Sequence, residues 1–487
     1  MIDTKALRSR ILDLAIQGKL TEQLESDDSI DKLLEEVSDE KKELISAKII
    51  KNKKIKPIDK TEIPFDIPPT WRLVYIDDIA FVTKLAGFEY TDTIAPNLSE
   101  NGIPLFKGKN IQDGKIILEF ESYIPQTISD ELPRSQVLKK CLLTPYVGTI
   151  GNIAIFDGSF NAHLGSNVGK IELLNNRATH VIEEYILYYL RSSIGNKQLS
   201  KFKKATAQDS ISIEAIRNTI VVLPPLAEQK RIVERVEEIF RLLDTIDKAQ
   251  EKYSADSQIL KAKLITAGIR GKLTKQLESD GTAHELYQQI QEEKQKLIKE
   301  GKIKKEKPLP HISPDEIPFE IPQNWMWVRL QDIGSTNIGL TYHPTDISNN
   351  GTIVIRSSNI QNGKMDYSDI VRVDCKINEN QYLNHNDIVI CARNGSKSLV
   401  GKNAIYDGES NKVAFGAFMA VYRTICFKFV YYYFNTFAFK RYFSGDDSKQ
   451  INQVTQAILK ESVVPLPPLA EQKRIADVLE RVLGVVE

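Results

Sequence analysis

The sequence predicts an α+β fold. Two similar globular domains are separated by long antiparallel helical arms of coiled-coil type, in a cyclic arrangement with pseudo-twofold symmetry. Three observations carry that expectation. The run VVLPPLAEQKRI beginning at Val221 returns near the C-terminus as VVPLPPLAEQKRI beginning at Val463. The run GKLTKQLES beginning at Gly271 already stands near the N-terminus as GKLTEQLES beginning at Gly18. Between these, EIPFDIPPTW (Glu62–Trp71) returns as EIPFEIPQNW (Glu316–Trp325). Tail followed by head therefore rebuilds the central stretch Val221–Gln276, which is the mark of an internal duplication with cyclic order.

The chain has 487 residues, too many for one hydrophobic core, and should hold two to four domains. Its 41% hydrophobic and 27% charged residues describe an ordinary globular protein. No apolar run reaches the ~18 residues of a membrane span, and the N-terminus lacks the apolar core of a signal peptide. Cys141, Cys375, Cys391 and Cys426 are scattered, implying neither a disulfide framework nor a zinc site. A reduced, cytoplasmic protein with no membrane partner is expected. The 65 basic and 65 acidic residues cancel, which argues against coating DNA by bulk charge and leaves local basic loops as the route to nucleic acid.

In chain order, Leu7, Ile11 and Leu14 form a helical apolar stripe that Gly18 ends. A second helix is expected from about Ser29 to Lys51. Its copy, over residues 279–308, carries a capping-box spacing at Thr282 and Glu285. Each of these two helices leads into a lysine cluster (Lys51, Lys53, Lys54 and Lys56; Lys302, Lys304, Lys305 and Lys307) closed by a proline. The proline-rich Glu62–Trp71 and its copy forbid a continuing helix and make extended entry segments. Each leads into about 150 residues of short β-rich runs and two longer segments, an α+β pattern. The expected boundaries are 1–61 for an N-terminal helical arm, 62–222 for the first globular domain and 223–315 for a central helical region. The second globular domain follows at 316–465 and a C-terminal helix at 466–487.

Both LPPLAEQKRI segments read as coiled-coil helices. Ile232, Val236, Ile239, Leu243 and Ile246 recur at alternating spacings of four and three, with Ile475, Leu479, Val482 and Val486 in the same phase. Leu226 and Leu469 follow a stiff double proline, and Glu228 and Glu471 sit in the first turn, favouring the helix dipole. So short a seam needs a partner helix. The simplest partners are the stripe of Leu7, Ile11 and Leu14 and its copy, which includes Leu260 and Leu264. These apolar positions are the candidate ruler and partner-docking residues.

No catalytic constellation emerges. The run from Gly395 to Lys402 has one residue too many for a phosphate-binding loop, and Asn403 stands where Ser or Thr is required. Asp66-Ile67-Pro68-Pro69 only loosely resembles a base-holding methyltransferase motif, and no glycine-rich S-adenosylmethionine fingerprint precedes it. The six histidines lack metal-site spacing and no GxSxG elbow occurs. A binding or scaffolding role is favoured over a fused enzyme.

Two aligned blocks hold the candidate DNA contacts, IPLFKGKNIQDGK and TIVIRSSNIQNGK. Lys107, Lys109, Asn110 and Gln112 in the first match Arg356, Ser358, Asn359 and Gln361 in the second. They mix base-edge readers with phosphate binders, or else form a solvated hairpin edge. Arg393, Asn394, Ser396 and Lys397 occupy a glycine-bounded loop, matched more weakly by Tyr146, Thr149 and Asn152; a plain turn is the alternative. Lys201, Lys203, Lys204, Lys440 and Arg441 are either phosphate contacts or a solvated helix end. The tyrosine runs at 185–189 and 431–433 read as core.

The paired LPPLAEQKRI helices, GKLT[EK]QLES turns, IPF[DE]IPxxW entries and NIQxGK blocks resemble the specificity subunit of type I restriction–modification systems, across essentially the whole chain. That resemblance implies a subunit that is not itself an enzyme. It implies two target-recognition domains, each reading one half of a bipartite, asymmetric site in double-stranded DNA. The helical regions would set the unread spacer and dock two methyltransferase subunits, with restriction and translocase subunits joining them. It also implies that this chain carries no cofactor: S-adenosylmethionine belongs to the methyltransferase, ATP and magnesium to the nuclease. The family suggests adenine as the methylated base. A two-headed DNA-binding scaffold or antirestriction-type protein, without sequence preference of its own, is the alternative class.

Overall fold

Each proline-rich entry segment ends in a tryptophan, and that tryptophan fixes how each half of the chain is closed. The computed structural model describes residues 1–51, 57–174, 181–201, 210–301, 303, 305–408, 412–444 and 453–486. The lysine-cluster residues Lys53, Lys54, Lys56, Lys302 and Lys304 lie outside them. The chain divides into two units, Met1–Glu251 and Lys252–Glu487. Among the described residues no helix is long and apolar enough to cross a membrane.

In unit 1 the strand after Trp71, Arg72–Tyr75, pairs antiparallel with the last strand, Ile220–Leu223, so the globular part begins and ends at one place. Between them lies an antiparallel sheet ordered Ala80–Lys84, Val168–Leu173, Cys141–Pro145, Ala154–Phe156. A second, smaller sheet pairs Ile103–Phe106 in parallel with Ala162–Leu164. Unit 2 repeats the plan. Met326–Arg329 pairs with Val463–Leu466 at the base. Ser335–Ile338, Met419–Arg423, Ile388–Cys391 and Asn403–Ile405 form the main sheet, and Ile347–Ile355 pairs in parallel with Val413–Phe415. The tyrosine runs are core helices, Glu183–Arg191 and Phe427–Phe434. The buried hydroxyls of Tyr185 and Tyr433 donate to the carbonyls of Val222 and Val463 on the closing strands, at 2.6 and 2.5 Å. Short strands interleaved with helices are the α+β pattern that the sequence leads one to expect.

The arms are helical. The head helix, Thr4–Ile16, ends at Gly18 with φ +67°, and Ile30–Ser46 follows, five residues shorter at its C-terminal end than the pattern suggests. In unit 2 the corresponding arm helix is Ala283–Lys299, and the Thr282–Glu285 capping box is formed. The central helix is one continuous element, Leu226–Ile269, and the tail helix is Leu469–Val486. Within unit 1 the head helix lies antiparallel to the start of the central helix. Thr4 hydrogen-bonds Asp247, and Arg8 bridges Asp244 at 2.7 Å and Asp247 at 3.0 Å. Within unit 2 the tail helix lies against the end of the central helix, so that a Cβ on Gly268 would meet Leu479 at 3.1 Å and Ile475 at 3.2 Å.

Part of the expected seam is turned inward. Ile232, Val236, Leu243, Ile475 and Leu479 are buried, and Leu226, Ile239, Leu264 and Val482 are half-buried. The head stripe needs correction. The buried face is Leu12, Ala15 and Ile16; Ile11 and Leu14 are half-buried and Leu7 is exposed. The face is rotated by one position because the helix presents Leu12, Ala15 and Ile16 to the core of unit 1, the cluster that also holds Trp71. Leu260 and Leu469, expected in the seam, are likewise exposed.

What joins arm to globular part is a buried carboxylate. Glu228, fully buried in the first turn of the central helix, accepts the Trp71 indole N–H at 2.7 Å, the Gln23 amide at 2.9 Å and the Thr21 hydroxyl at 3.3 Å. Unit 2 repeats the arrangement around Glu471: Trp325 at 2.8 Å, Gln276 at 2.7 Å and Thr274 at 3.1 Å. Beside each, an arginine grips an aspartate with both arms, Arg231 on Asp27 and Arg474 on Asp280. The arginine hydrogen bonds hold both aspartates below the usual carboxylate range. Gly18 and Gly271 are needed here twice over. Their φ values are +67° and +68°, and a Cβ would strike Pro68 at 2.8 Å or Pro322 at 2.5 Å.

Removing Glu228 would strand the Trp71, Gln23 and Thr21 donors. Glu228→Ala should therefore destabilise the protein by about 3 kcal/mol in denaturant titration. It should also shift the emission of Trp71, the only tryptophan of unit 1. Glu471→Ala should match it in cost. An aspartate whose folded pKa is lowered stabilises fully above its unfolded value and loses that contribution as pH falls through the folded one. The double variant Asp27→Asn, Asp280→Asn should thus flatten the stability profile below pH 3.8, the ordinary aspartate value.

Candidate nucleic-acid interface

The NIQxGK blocks fold into the same device twice. A strand ends just before Lys107 or Arg356, a 3-10 turn follows (Gly108–Asn110; Ser357–Asn359), and a two-residue hairpin closes the block. Asp113 and Gly114, like Asn362 and Gly363, all have positive φ, as a tight hairpin turn demands. Asn110 and Asn359 are buried. Asn359 accepts from the Arg356 amide at 2.9 Å and donates to the carbonyls of Asp366 and Asp369 at 2.9 and 2.8 Å. Asn110 accepts from Lys107 at 3.0 Å and donates to Ile117 and Glu119 at 2.9 and 3.0 Å. The expectation that these two asparagines face DNA is corrected: the turn consumes their amides. Gln112 and Gln361 stay exposed at the hairpin, each tied by its amide to the turn behind it, at 2.8 and 3.0 Å.

The side chains around this shared turn differ. In unit 1, Lys107 donates to Ser122 at 2.9 Å, and both Lys107 and Lys109 pair with exposed Glu121. The Lys109 hydrogen bond holds that carboxyl below its ordinary range. In unit 2, Arg356 bridges Asp369 at 2.8 Å. Exposed pairs of this kind are weak and exchange readily for phosphate. The loop after strand Ile388–Cys391 brings Arg393 and Asn394 beside this turn, with Asn394 donating to Ser357 at 3.1 Å. Arg393 is held from behind by Gln453 at 2.8 and 3.1 Å.

Arg356, Ser358, Arg393 and Asn394 line one groove of about 960 Å³, joined by Tyr342 and Phe418. Four candidates scattered over the sequence of unit 2 are thus brought together. Ser396 and Lys397 are exposed farther along the same loop, outside the groove lining. Phe418 hides in the sequence within the apolar run VAFGAFMAV, where only Gly416 marks the turn that exposes it. In unit 1, Thr149 is exposed at a loop tip, whereas Tyr146 is half-buried against the core, its ring covered by the Lys84 ammonium at 4.7 Å. Burial pushes the Tyr146 phenol up. Arg441 lies by the entry segment, donating to the Glu316 carbonyl at 2.7 Å, and neither it nor exposed Lys440 lines the groove. Lys203 and Lys204 lie outside the described residues. Among the described residues no cluster of His, Cys, Asp and Glu is placed to hold a metal.

The two units thus share one turn scaffold and carry different cationic and polar side chains on it. The sequence matches the family described as the type I restriction modification DNA specificity domain over residues 68–253 and 322–486. The chain belongs to that family. It is 26% identical to the type I restriction enzyme EcoAI specificity subunit of Escherichia coli, over 98% of this chain and 89% of that one. With the EcoEI specificity subunit of the same organism it shares 25% identity over 98% and 88%. A solved structure concerned with complex assembly and conformational transition of the type I R-M system has the same fold. Its TM-score is 0.60 at 18% identity, covering 87% of this chain and 92% of that one. This specificity subunit is accordingly a non-catalytic, DNA-recognising component of a type I system, with two recognition-type domains and helical linkers.

The structure separates the buried, turn-holding Asn359 from the exposed Arg393. Asn359→Ala should lower stability by about 2 kcal/mol through its three lost buried hydrogen bonds. Arg393→Ala should leave stability within about 0.5 kcal/mol but weaken DNA binding and reduce the slope of log affinity against log salt by about 1. Denaturant titration and a salt series of binding isotherms check the pair.

Proposed function

We propose that each unit reads one half of a bipartite, asymmetric DNA target, through the globular domains at 62–222 and 316–465. In this reading the helical regions at 1–61, 223–315 and 466–487 set the unread spacer and dock two methyltransferase subunits, with restriction and translocase subunits joining the complex. The observation that carries it is the repetition of one scaffold with unlike side chains on top. The Asn110 and Asn359 turns are built alike, but one offers Lys107 and Lys109 and the other Arg356 and Ser358. A protein that needed one surface twice would have no reason to vary these positions. Gln112, Thr149 and Tyr146 in unit 1, with Gln361, Arg393, Asn394, Ser396 and Lys397 in unit 2, complete the proposed contact set. Lys203, Lys204, Lys440 and Arg441 would serve the backbone.

The docking role rests on the helices. Leu7 and Leu242 of unit 1 are exposed at 42% and 61%, and their equivalents in unit 2, Leu260 and Val485, at 46% and 82%. Exposed apolar residues that recur at matched positions of a duplicated helix pair suit a repeated protein contact. S-adenosylmethionine would then belong to the docked subunits, and ATP and magnesium to the nuclease.

Replacing residues 316–465 with those of another member should change one half of the methylated sequence and leave the other. Inserting four residues in the central helix adds about 6 Å and should lengthen the spacer by about two base pairs. Methylome sequencing of cells co-expressing the variants with their methyltransferase subunit reads both. A change in both halves after the domain exchange contradicts modular reading, and methylation without sequence preference favours the scaffold alternative.

A further inference from the structure

One turn, built alike in both units, presents a single solvent-facing side chain at its last position. In unit 2 it is Gly416-Ala417-Phe418, between strands Val413–Phe415 and Met419–Arg423. In unit 1 it is Gly165-Ser166-Asn167, between Ala162–Leu164 and Val168–Leu173. The fastening is the same. Gly416 N–H donates to Ile355 and Ala392 N–H to the Phe418 carbonyl, both at 2.9 Å; Gly165 N–H donates to Phe106 at 2.9 Å and Tyr146 N–H to the Asn167 carbonyl at 3.0 Å. A second bond, from Arg393 N–H to the Phe418 carbonyl at 3.1 Å, ties this turn to the arginine-bearing loop.

The backbone explains Asn167, which sits at φ +67°, a conformation asparagine tolerates. Nothing in the fold explains Phe418. Its φ is not positive, it belongs to no hydrophobic core cluster, and 63% of its surface is exposed. A ring left in water by a turn that any small polar residue could complete suggests a ligand. That ligand should carry an apolar tip among hydrogen-bonding edges, because the same groove is lined by Arg356, Arg393 and Asn394. In the major groove of DNA the only apolar group at a base edge is the thymine 5-methyl, and phenylalanine is one of the side chains that contacts it.

We propose that Phe418 is a specificity-determining residue that selects a thymine in the half-site read by unit 2, by packing its ring on the 5-methyl group. This rests on the reading of the chain as a half-site reader and names one base of that reading. Arg356, Arg393 and Asn394 act around it on phosphates and polar base edges.

The test uses the chain in complex with its methyltransferase subunits and duplexes carrying the target found by methylome sequencing. Each thymine of the unit 2 half-site is replaced in turn by deoxyuridine, which removes only the methyl. At one position the methylation kcat/KM should fall roughly fourfold, the worth of one buried methyl. Phe418→Ala should lower the rate on the thymine duplex by a similar factor and show no further loss at that deoxyuridine. Its unfolding midpoint should not move, since the ring is outside the core. Insensitivity to every deoxyuridine, or a sensitivity that persists in Phe418→Ala, overturns the proposal but leaves half-site reading intact. Absence of any bipartite motif for the unaltered complex overturns the reading itself.

Discussion

A carboxylate buried among an indole, an amide and a hydroxyl holds each half of this protein together. Glu228 and Glu471 are fully buried, and each accepts from three side chains drawn from two other segments. A buried charge is costly unless its lone pairs are satisfied, so the site tolerates little displacement of its partners. That intolerance gives the arrangement its value. The head turn, the entry segment and the first turn of the long helix must meet in one geometry, and the globular domain is thereby fixed on the helix that carries it. The half-site reading proposed above would call for a joint held this firmly.

Around that joint the fold divides its sequence into what must be kept and what is free to differ. The closing strand pairs, the tyrosine hydroxyls on the Val222 and Val463 carbonyls, and the asparagine-held turns are common to both units. The exposed positions on top of them are not. Phosphate contacts supply affinity without sequence information, and base-edge contacts supply the rest. The unit 2 groove gathers side chains chemically suited to both kinds: two arginines, an asparagine and the exposed ring of Phe418. The candidate cations Lys107, Lys109, Arg356 and Arg393 sit on turns and loops, so zero net charge is compatible with the proposed reading.

Much of this was legible from residues alone. The duplication and its cyclic order follow from the repeated strings, and the seam positions Ile232, Val236, Leu243, Ile475 and Leu479 follow from their spacing. Which face of the head helix is buried was not legible. Leu7, Ile11 and Leu14 form as good a stripe as Leu12, Ala15 and Ile16, and only packing against the core of unit 1 chooses between them. Nor could residue type tell scaffold from contact. Asparagine reads adenine and also holds turns, and Asn110 and Asn359 proved to do the second. Glu228 invites a dipole explanation from its first-turn position, whereas its partners come from segments distant in the sequence.

The central claim is that two stiffly mounted domains read two separate half-sites. A hydroxyl-radical footprint of the chain with its methyltransferase subunits on target DNA tests it most directly. The account predicts two protected windows, each weakened selectively by substitutions in one unit, flanking a spacer whose protection does not depend on its sequence. Uniform protection without a preferred site, or one window lost entirely on altering either unit, would contradict it.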